Sequence, residues 1–504
     1  MTTTPTYLDS VSVQLYLNGG WVDISQYVVE DINADWGILN NSPTDRIGYV
    51  GGMTIKLNNN SGIFTPNTVN TLNGWKIGVK VRLVLTFGGE SYVRFKGRVK
   101  RIGLSYKVNE ITIVPVHVVD WFDEAINTKI FLQQIESNVN TADAVITLLN
   151  LTPTPPDNTD IDDGEDILKA VFTTADTKST VYSELSKLAL SEFAFIYLKK
   201  DKIHGETLRV EKRQSRIAKN VSTSLVFNNM YEMETDFGEN LINELTVRNN
   251  PVRVDDTLQV LFSLDEPIEI GAGQTLPDMM VTYKDPTGGG LRINGTNLQT
   301  PVINTDYKMW SNRNGTGTDL TSNLSFTVEF GTSGAIIRSL TNTGDTTGFI
   351  TKLDLRGYGV YTDNPIELFF EDTPSISNYG IAPFTYNNHY QSNINISKAI
   401  GKLVLSQNKE NQIIPREIKL IANISPDMMN AFLNLDVGDL IQIQHNEHNI
   451  NGKYFIHSVN FRIYQGGKIE FKWGLTDAYL ADKVYWILGR VNYSELGTTT
   501  IVSF

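Results

Sequence analysis

His445 and His448, three residues apart in the run His-Asn-Glu-His, are the nearest approach to a metal-binding pair in the sequence. On a helix such imidazoles share a face and could hold one cation. These two fall at the tip of an expected hairpin, with no third ligand at a suitable spacing, so they read as solvated turn residues and no metal is expected. The run Asp160-Ile-Asp-Asp-Gly-Glu-Asp166 invites comparison with a calcium loop. Setting Gly164 at the sharp turn of such a loop puts Thr159 and Ile161 where carboxylates are required, so the run reads as a charged linker after Pro155-Pro156. Gly288-Gly-Gly-Leu291 lacks the Gly-Lys-Ser/Thr ending of a phosphate loop and reads as a turn. Carboxylate pairs for glycosidase chemistry are set by distance in space, and the sequence singles out none. There is no cysteine, which removes thiol nucleophiles, thiolate metal sites and disulfides together. No catalytic residue and no cofactor is expected.

The more distinctive pattern is cationic. Arg94, Lys96, Arg98 and Lys100 alternate with Val93, Phe95 and Val99, so a strand here carries four cations on one face. Such a face is either solvated and salt-bridged or docked on an acidic neighbour. A single strand is too little for nucleic-acid recognition. The four cations are therefore the candidate interface residues.

The elements that must position these side chains are mostly strands, because period-2 alternation dominates. Residues 11–17 alternate, the turn Asn18-Gly19-Gly20 follows, and Trp21-Val-Asp-Ile24 completes a hairpin. Residues 53–58, 79–85, 93–100 and 111–119 add strands between Asn/Gly turns, making 1–125 an all-β domain. A short helix at 141–151 is stopped by Thr152-Pro-Thr-Pro-Pro156, and 180–191 places Val181, Leu185, Leu188 and Ala189 on one helical face. With a hairpin of 193–198 and 208–211 around Lys199-Lys-Asp-Lys202, residues 126–235 form a small α/β domain. Residues 255–395 are rich in strands and in Gly, Asn and Thr turns, and read as an inserted β-sandwich. Around it, 236–254 and 396–490 are the two parts of a second β domain, and 491–504 is a C-terminal tail. Those parts are expected to hold a strand at 241–247, a helix at about 397–406, and a helix capped by Ser425 with Pro426 in its first turn. Strands follow at 440–445, 453–459 and 468–473. The fold class is mainly β with a small α/β part, in several domains.

A chain of 504 residues exceeds the usual reach of one core. With 43 Lys and Arg against 56 Asp and Glu, the net charge of −13 argues against a general nucleic-acid binder. The excess is local: 255–395 holds 16 acidic and 7 basic residues, so −9 of the total falls there. The start, Met1-Thr-Thr-Thr-Pro-Thr-Tyr7, has neither the basic nor the apolar region of a signal peptide. Apolar runs such as 111–122 are broken by Pro115, His117 and Asp120, short of the roughly 20 residues a membrane helix needs. A chain made in a cytoplasm, soluble when made and without a membrane partner, is expected.

Four segments occur in a telling order. Trp21-Val-Asp-Ile-Ser-Gln-Tyr-Val28 comes first, then Gly52-Met-Thr-Ile-Lys-Leu-Asn-Asn-Asn-Ser-Gly-Ile-Phe-Thr-Pro66, Gly78-Val-Lys-Val-Arg-Leu83 and Phe95-Lys-Gly-Arg-Val99. This order resembles the N-terminal domain of bacteriophage minor tail proteins of the tail-hub (baseplate hub-like) family. Gly348-Phe-Ile-Thr-Lys-Leu-Asp-Leu-Arg-Gly357 and Asp372-Thr-Pro-Ser-Ile-Ser-Asn-Tyr-Gly380 resemble the middle of such proteins. Leu435-Asp-Val-Gly-Asp-Leu-Ile441 with Gly452-Lys-Tyr-Phe-Ile-His-Ser-Val459 resembles their closing sheet. The ending, Trp486-Ile-Leu-Gly489 and Tyr493-Ser-Glu-Leu-Gly-Thr-Thr-Thr500, is similar too. A departure is Asn60-Ser61, where the family has an acidic residue before the glycine.

The resemblance implies a structural subunit of the virion tail tip, not an enzyme. It implies that 1–125 and the pair 236–254 plus 396–490 are tail-tube-like β-barrel or sandwich domains. Three chains would then present six units to a sixfold tube, as a homotrimeric ring that closes the tail tube. The implied partners are other copies of the chain, a tail tube or distal tail protein, a tape measure protein, and tip or fibre proteins. Phage DNA would pass through the lumen during genome ejection without sequence-specific binding. The acidic 255–395 segment suggests an alternative role in host attachment by binding surface carbohydrate, and a tail-associated cell-wall hydrolase is a further alternative.

Overall fold

The computed structural model describes residues 5–104, 111–130, 133–174, 178–237, 240–287, 290–411 and 413–478. The endings at 486–489 and 493–500, the tail 491–504 and Gly288-Gly289 lie outside the described residues. The chain is mainly β, with a small α/β part.

Its largest element is a 13-stranded sheet. In order, the path runs through Glu232–Phe237, Ile413–Ile421, Ile469–Asp477, Ile450–Ile463, Ile32–Ile38, Gly48–Asn58, Ile113–Val119, Glu90–Ile102, Lys80–Phe87, Ser10–Leu17 and Gly20–Asp23. Leu440–His445 joins it through Ile450–Ile463, and Val226–Phe227 pairs with Leu440–His445. Alternation is the local cause: in Gly48–Asn58, Met53, Ile55 and Leu57 enter one core while Thr54, Lys56 and Asn58 between and after them stay half-buried. The junction between early and late sequence is the strand Ile32–Ile38, which pairs antiparallel with Ile450–Ile463 from Ile32 opposite Ile463 to Gly37 opposite Ser458. One hydrophobic core therefore draws on Val13 through Val118 and on Ile418 through Leu475. The segments expected in two separate tube-like domains meet in one continuous sheet. Among the described residues that sheet stays open, ending at Gly20–Asp23 and Glu232–Phe237.

The α/β part lies between. Helix Thr141–Asn150 is capped by the Asn140 side chain, and helix Val181–Glu192 opens with a Thr180/Ser183 capping box. They share a core with the antiparallel pair Phe195–Lys199 and Thr207–Glu211. The acidic run is not the linker its composition suggests. Thr159–Ile161 is a strand, parallel to Thr207–Glu211. Asp162 takes a two-point bond from Arg209 at 2.8 and 3.0 Å, and Glu165 takes Arg213 at 2.6 Å. Cations about fifty residues downstream in sequence hold it in place, which no local pattern reveals.

Strands expected in the single 255–395 sandwich divide between two sheet systems. The 15-residue strand Gly348–Thr362 pairs with Val252–Val254, Gln259–Ser263, Ile268–Ile270, Asn294–Gln299 and Tyr307–Trp310. This sheet shares a core with that of Met279–Thr282, Gly334–Asn342 and Leu324–Phe330. Ile366–Glu371 and Pro383–Asn388 instead flank Glu244–Asn249. Helix Ile394–Asn408 covers that three-stranded sheet, with Ile400 and Val404 against Leu245 and Val247.

Candidate functional site

The strand that carries the candidate cations, Glu90–Ile102, lies between Lys80–Phe87 and Ile113–Val119. Its pairing shifts by one residue: Phe95 faces Leu83 and Val93 faces Val84, which leaves Arg94 as the extra residue of a β-bulge. The expectation of four cations on one outward face fails at Arg94 for this reason. Arg94 is 1% exposed, its guanidinium 5.4 Å from the ring centres of both Trp36 and Phe432. Its Nη1 reaches the Leu433 carbonyl at 3.5 Å, while Nε and Nη2 have no hydrogen-bond partner among the described residues. Burial depresses its pKa, opposed by the nearby Asp436 and Asp439 carboxylates.

Lys96, Arg98 and Lys100 do share a face, and acidic residues of the same chain meet it. Lys96 pairs with Asp157, Arg98 with Glu124 at 3.3 Å and the Thr154 hydroxyl at 2.6 Å, and Lys100 with Asp123 at 2.8 Å. Lys80 on the neighbouring strand adds a 2.9 Å pair to Asp157. Burial alone would push the Asp157 carboxyl up, but bonds from Lys96 and Lys80 outweigh it and hold the carboxyl below its ordinary value. Gly97 is required here, because a Cβ would run into the Val119 carbonyl of the adjoining strand. The strip is the seam on which the 120–157 segment sits.

Beneath the seam is a charge cluster that sequence reasoning missed. The Lys200 side chain is wholly buried, with Nζ 3.4 Å from Asp120, 3.7 Å from Glu206 and 4.8 Å from the centre of the Phe95 ring. Burial pushes Asp120 up to about 7; Lys200 opposes this and Glu206 adds to it. Glu206 is raised by the same burial. Asp436 completes the arrangement by accepting the Trp36 indole N–H at 2.8 Å, the Lys200 backbone N–H at 2.5 Å and the Val437 N–H at 2.7 Å. It thereby ties residues from three distant parts of the sequence. A cavity of about 40 Å³ borders Asp120 and Glu206, sized for water and too small for a substrate. The sequence alone puts Lys200 in the turn of a hairpin, where a lysine is expected to be solvated. Asp436 lay in a recognised motif, but its acceptor role is visible only once Trp36 is beside it.

The histidines sit on an exposed hairpin, Nδ1 to Nδ1 2.9 Å apart. Among the described residues no group of three His, Asp or Glu is placed to hold a metal ion, and no helix is long and apolar enough to cross a membrane.

No family model and no curated protein matches the chain. Solved structures similar to it include the tail protein from Neisseria meningitidis MC58, at 10% identity and a TM-score of 0.49 over 93% of this chain and 96% of that one. The 43 kDa tail protein of prophage MuSo2 from Shewanella oneidensis matches at 10% and 0.48, over 94% and 99%. Prophage tail protein gp18 from Listeria monocytogenes EGD-e matches at 8% and 0.41, over 93% and 95%. All three are tail proteins, two of them from prophages.

Proposed function

We propose that the chain is a structural subunit of a bacteriophage tail tip, a hub whose copies form a ring that closes the tail tube and joins it to tip proteins. The observation that carries this reading is the open 13-stranded sheet. The early and closing segments that resemble the tail-hub family lie on it or against it: the Trp21 hairpin, the Thr54 strand, the Arg82 and Phe95 strands, and the closing pair after Asp436; the middle segments 348–357 and 372–380 lie on a separate sheet and a helix. Among the described residues both ends of the sheet are strands with one free edge, and free edges are templates for another chain. A head-to-tail contact between unlike surfaces builds a ring when its rotation closes. The charge clusters have roles within the chain that fit this reading: they seat the α/β part on the sheet and hold distant segments together.

The partners in this reading are further copies of the chain, a tail tube or distal tail protein, a tape measure protein, and tip or fibre proteins, with DNA crossing the lumen unread. The reading is tested by the mass and symmetry of the tip complex in assembled particles, with three copies per ring expected. A second reading, attachment to host-surface carbohydrate, draws on the local surplus of acid in 255–395. Glycan-array binding by the whole chain, lost when that segment is replaced, would support it.

A further inference from the structure

A cleft of about 140 Å³ opens where the large sheet, the α/β part and helix Ile394–Asn408 meet. Its polar wall is made of arginines. Arg46 is 8% exposed, with its guanidinium 3.4 Å from the centre of the Phe193 ring and 4.3 Å from that of Phe195. Nε donates to the Pro43 carbonyl at 2.9 Å, and no carboxylate among the described residues pairs with the group. Arg216 is 5% exposed and stacks on Phe195 and Phe455, at 3.9 and 4.2 Å. Its Nη1 bonds Glu211 at 2.9 Å, while its buried Nη2 has no hydrogen-bond partner among the described residues. Arg213 repeats the pattern, with Nη2 on Glu165 at 2.6 Å and a buried Nη1 left over. Arg416 is held by Asp236 and by the Asn40 carbonyl.

Buried donors on charged groups are normally satisfied, so two unused guanidinium nitrogens in one cleft need an acceptor. Arg213, Arg216 and Arg416 each have a carboxylate of their own, the Asp45 carboxylate accepts the Asn41 and Ser42 N–H groups, and Asp477, which also lines the cleft, is engaged in an interaction of its own. Arg46 alone remains uncompensated by a direct pair. Burial, with Arg216 and Arg213 nearby, lowers its pKa to about 9 against the opposing effect of Tyr386 and Asp45, which leaves it charged at neutral pH. His457, in the same wall, is kept neutral by burial and adds no charge. One unpaired cation suits a monoanion better than a dianion, and a guanidinium fork fits the planar carboxylate. The remaining wall, Phe193, Phe195, Phe455 and Leu403, suits an apolar body. We propose that this cleft binds a monoanionic carboxylate carried on an apolar or aromatic body.

The test is a calorimetric titration of the full chain with 3-phenylpropionate, beside its uncharged amide and inorganic phosphate. The expected result is one saturable site per chain, with the amide and phosphate both weaker by about tenfold or more. Arg46→Gln and Arg213→Gln should each weaken binding by about tenfold, whereas Lys202→Gln, on the exposed surface away from the cleft, should not. If Arg46→Gln fails to fold, Arg213→Gln, at the less buried edge, decides. Absence of saturable binding, equal binding of the amide, or phosphate binding as tightly as the acid would overturn the proposal. The readout needs no assembled ring, so it fails or succeeds independently of the tail-hub reading.

Discussion

At the scale of single residues, Lys200 is the side chain on which most depends. It lies within ion-pair reach of two buried carboxyls, Asp120 and Glu206. Removing one partner of a buried charge group while the others stay costs about 3–5 kcal/mol, so Lys200→Met should lower the stability of the chain by that order in a denaturant titration. A loss below about 1 kcal/mol would mean that water already reaches the cluster. Asp120 makes a separate, pH-dependent prediction. Its folded-state pKa of about 7 lies above the ordinary value of 3.8, so the folded chain holds an extra proton between those limits. Its contribution to stability is therefore full below the ordinary value and is lost as pH rises through 7. Asp120→Asn, which keeps the neutral form at every pH, should flatten the fall in melting temperature between pH 5 and 8. An unchanged slope would assign the proton elsewhere.

At the scale of elements, the legible and the illegible part for physical reasons. Strands and helices with a clear period were readable: residues 11–17, 53–58 and 79–85, the helix whose face holds Leu185 and Leu188, and the Ser425 cap, whose hydroxyl accepts the Met428 N–H at 3.1 Å. The strand Ile32–Ile38, with Gly37 near its end and Asp35 within, carries too weak an alternation to announce itself, yet it joins the two ends of the chain. The bulge at Arg94 was equally hidden, since one inserted residue changes the face without changing the composition. Partners from distant sequence decided the rest, as Arg209 did for the acidic run. Two element-level predictions follow from this packing. Gly438 has φ +86°, and a Cβ there would run into the Tyr197 hydroxyl, so Gly438→Ala should cost more than the roughly 1 kcal/mol of an average point substitution, measured by thermal unfolding. An interchain role for Lys96, Arg98 and Lys100 remains a proposal, and their internal pairs sharpen its test. Reversing the charge of Lys96 and Arg98 together would set Asp157 and Glu124 against new carboxylates, loosening the 120–157 segment. Faster amide exchange in that segment with normal incorporation into particles would make the strip an internal seam only. Lost incorporation without faster exchange would support an interchain contact.

At the scale of the whole molecule, the sheet's open ends set the assembly problem. The edge Gly20–Asp23 is only four residues long, and the edge Glu232–Phe237 carries Glu232, Glu234 and Asp236. Short edges and edge charges are the usual guards against indiscriminate strand pairing, so neither end invites arbitrary partners. They also differ from one another, so a contact between the two unlike ends is directional and can propagate around a ring. The proposed ring takes each chain as two β units, early and late, meeting at the pairing of Ile32–Ile38 with Ile450–Ile463. Three chains then supply six units, which matches a sixfold tube with one gene product and three identical interfaces. A stable interface of this kind buries on the order of 1,200–2,000 Å² in total. The tip complex released from particles should therefore show a mass of three chains by native mass spectrometry, and its map should show threefold symmetry with pseudo-sixfold sheet density. Six equivalent copies would make the two halves of the sheet a single ring unit. One copy per particle would leave both edges without the partners that the ring requires.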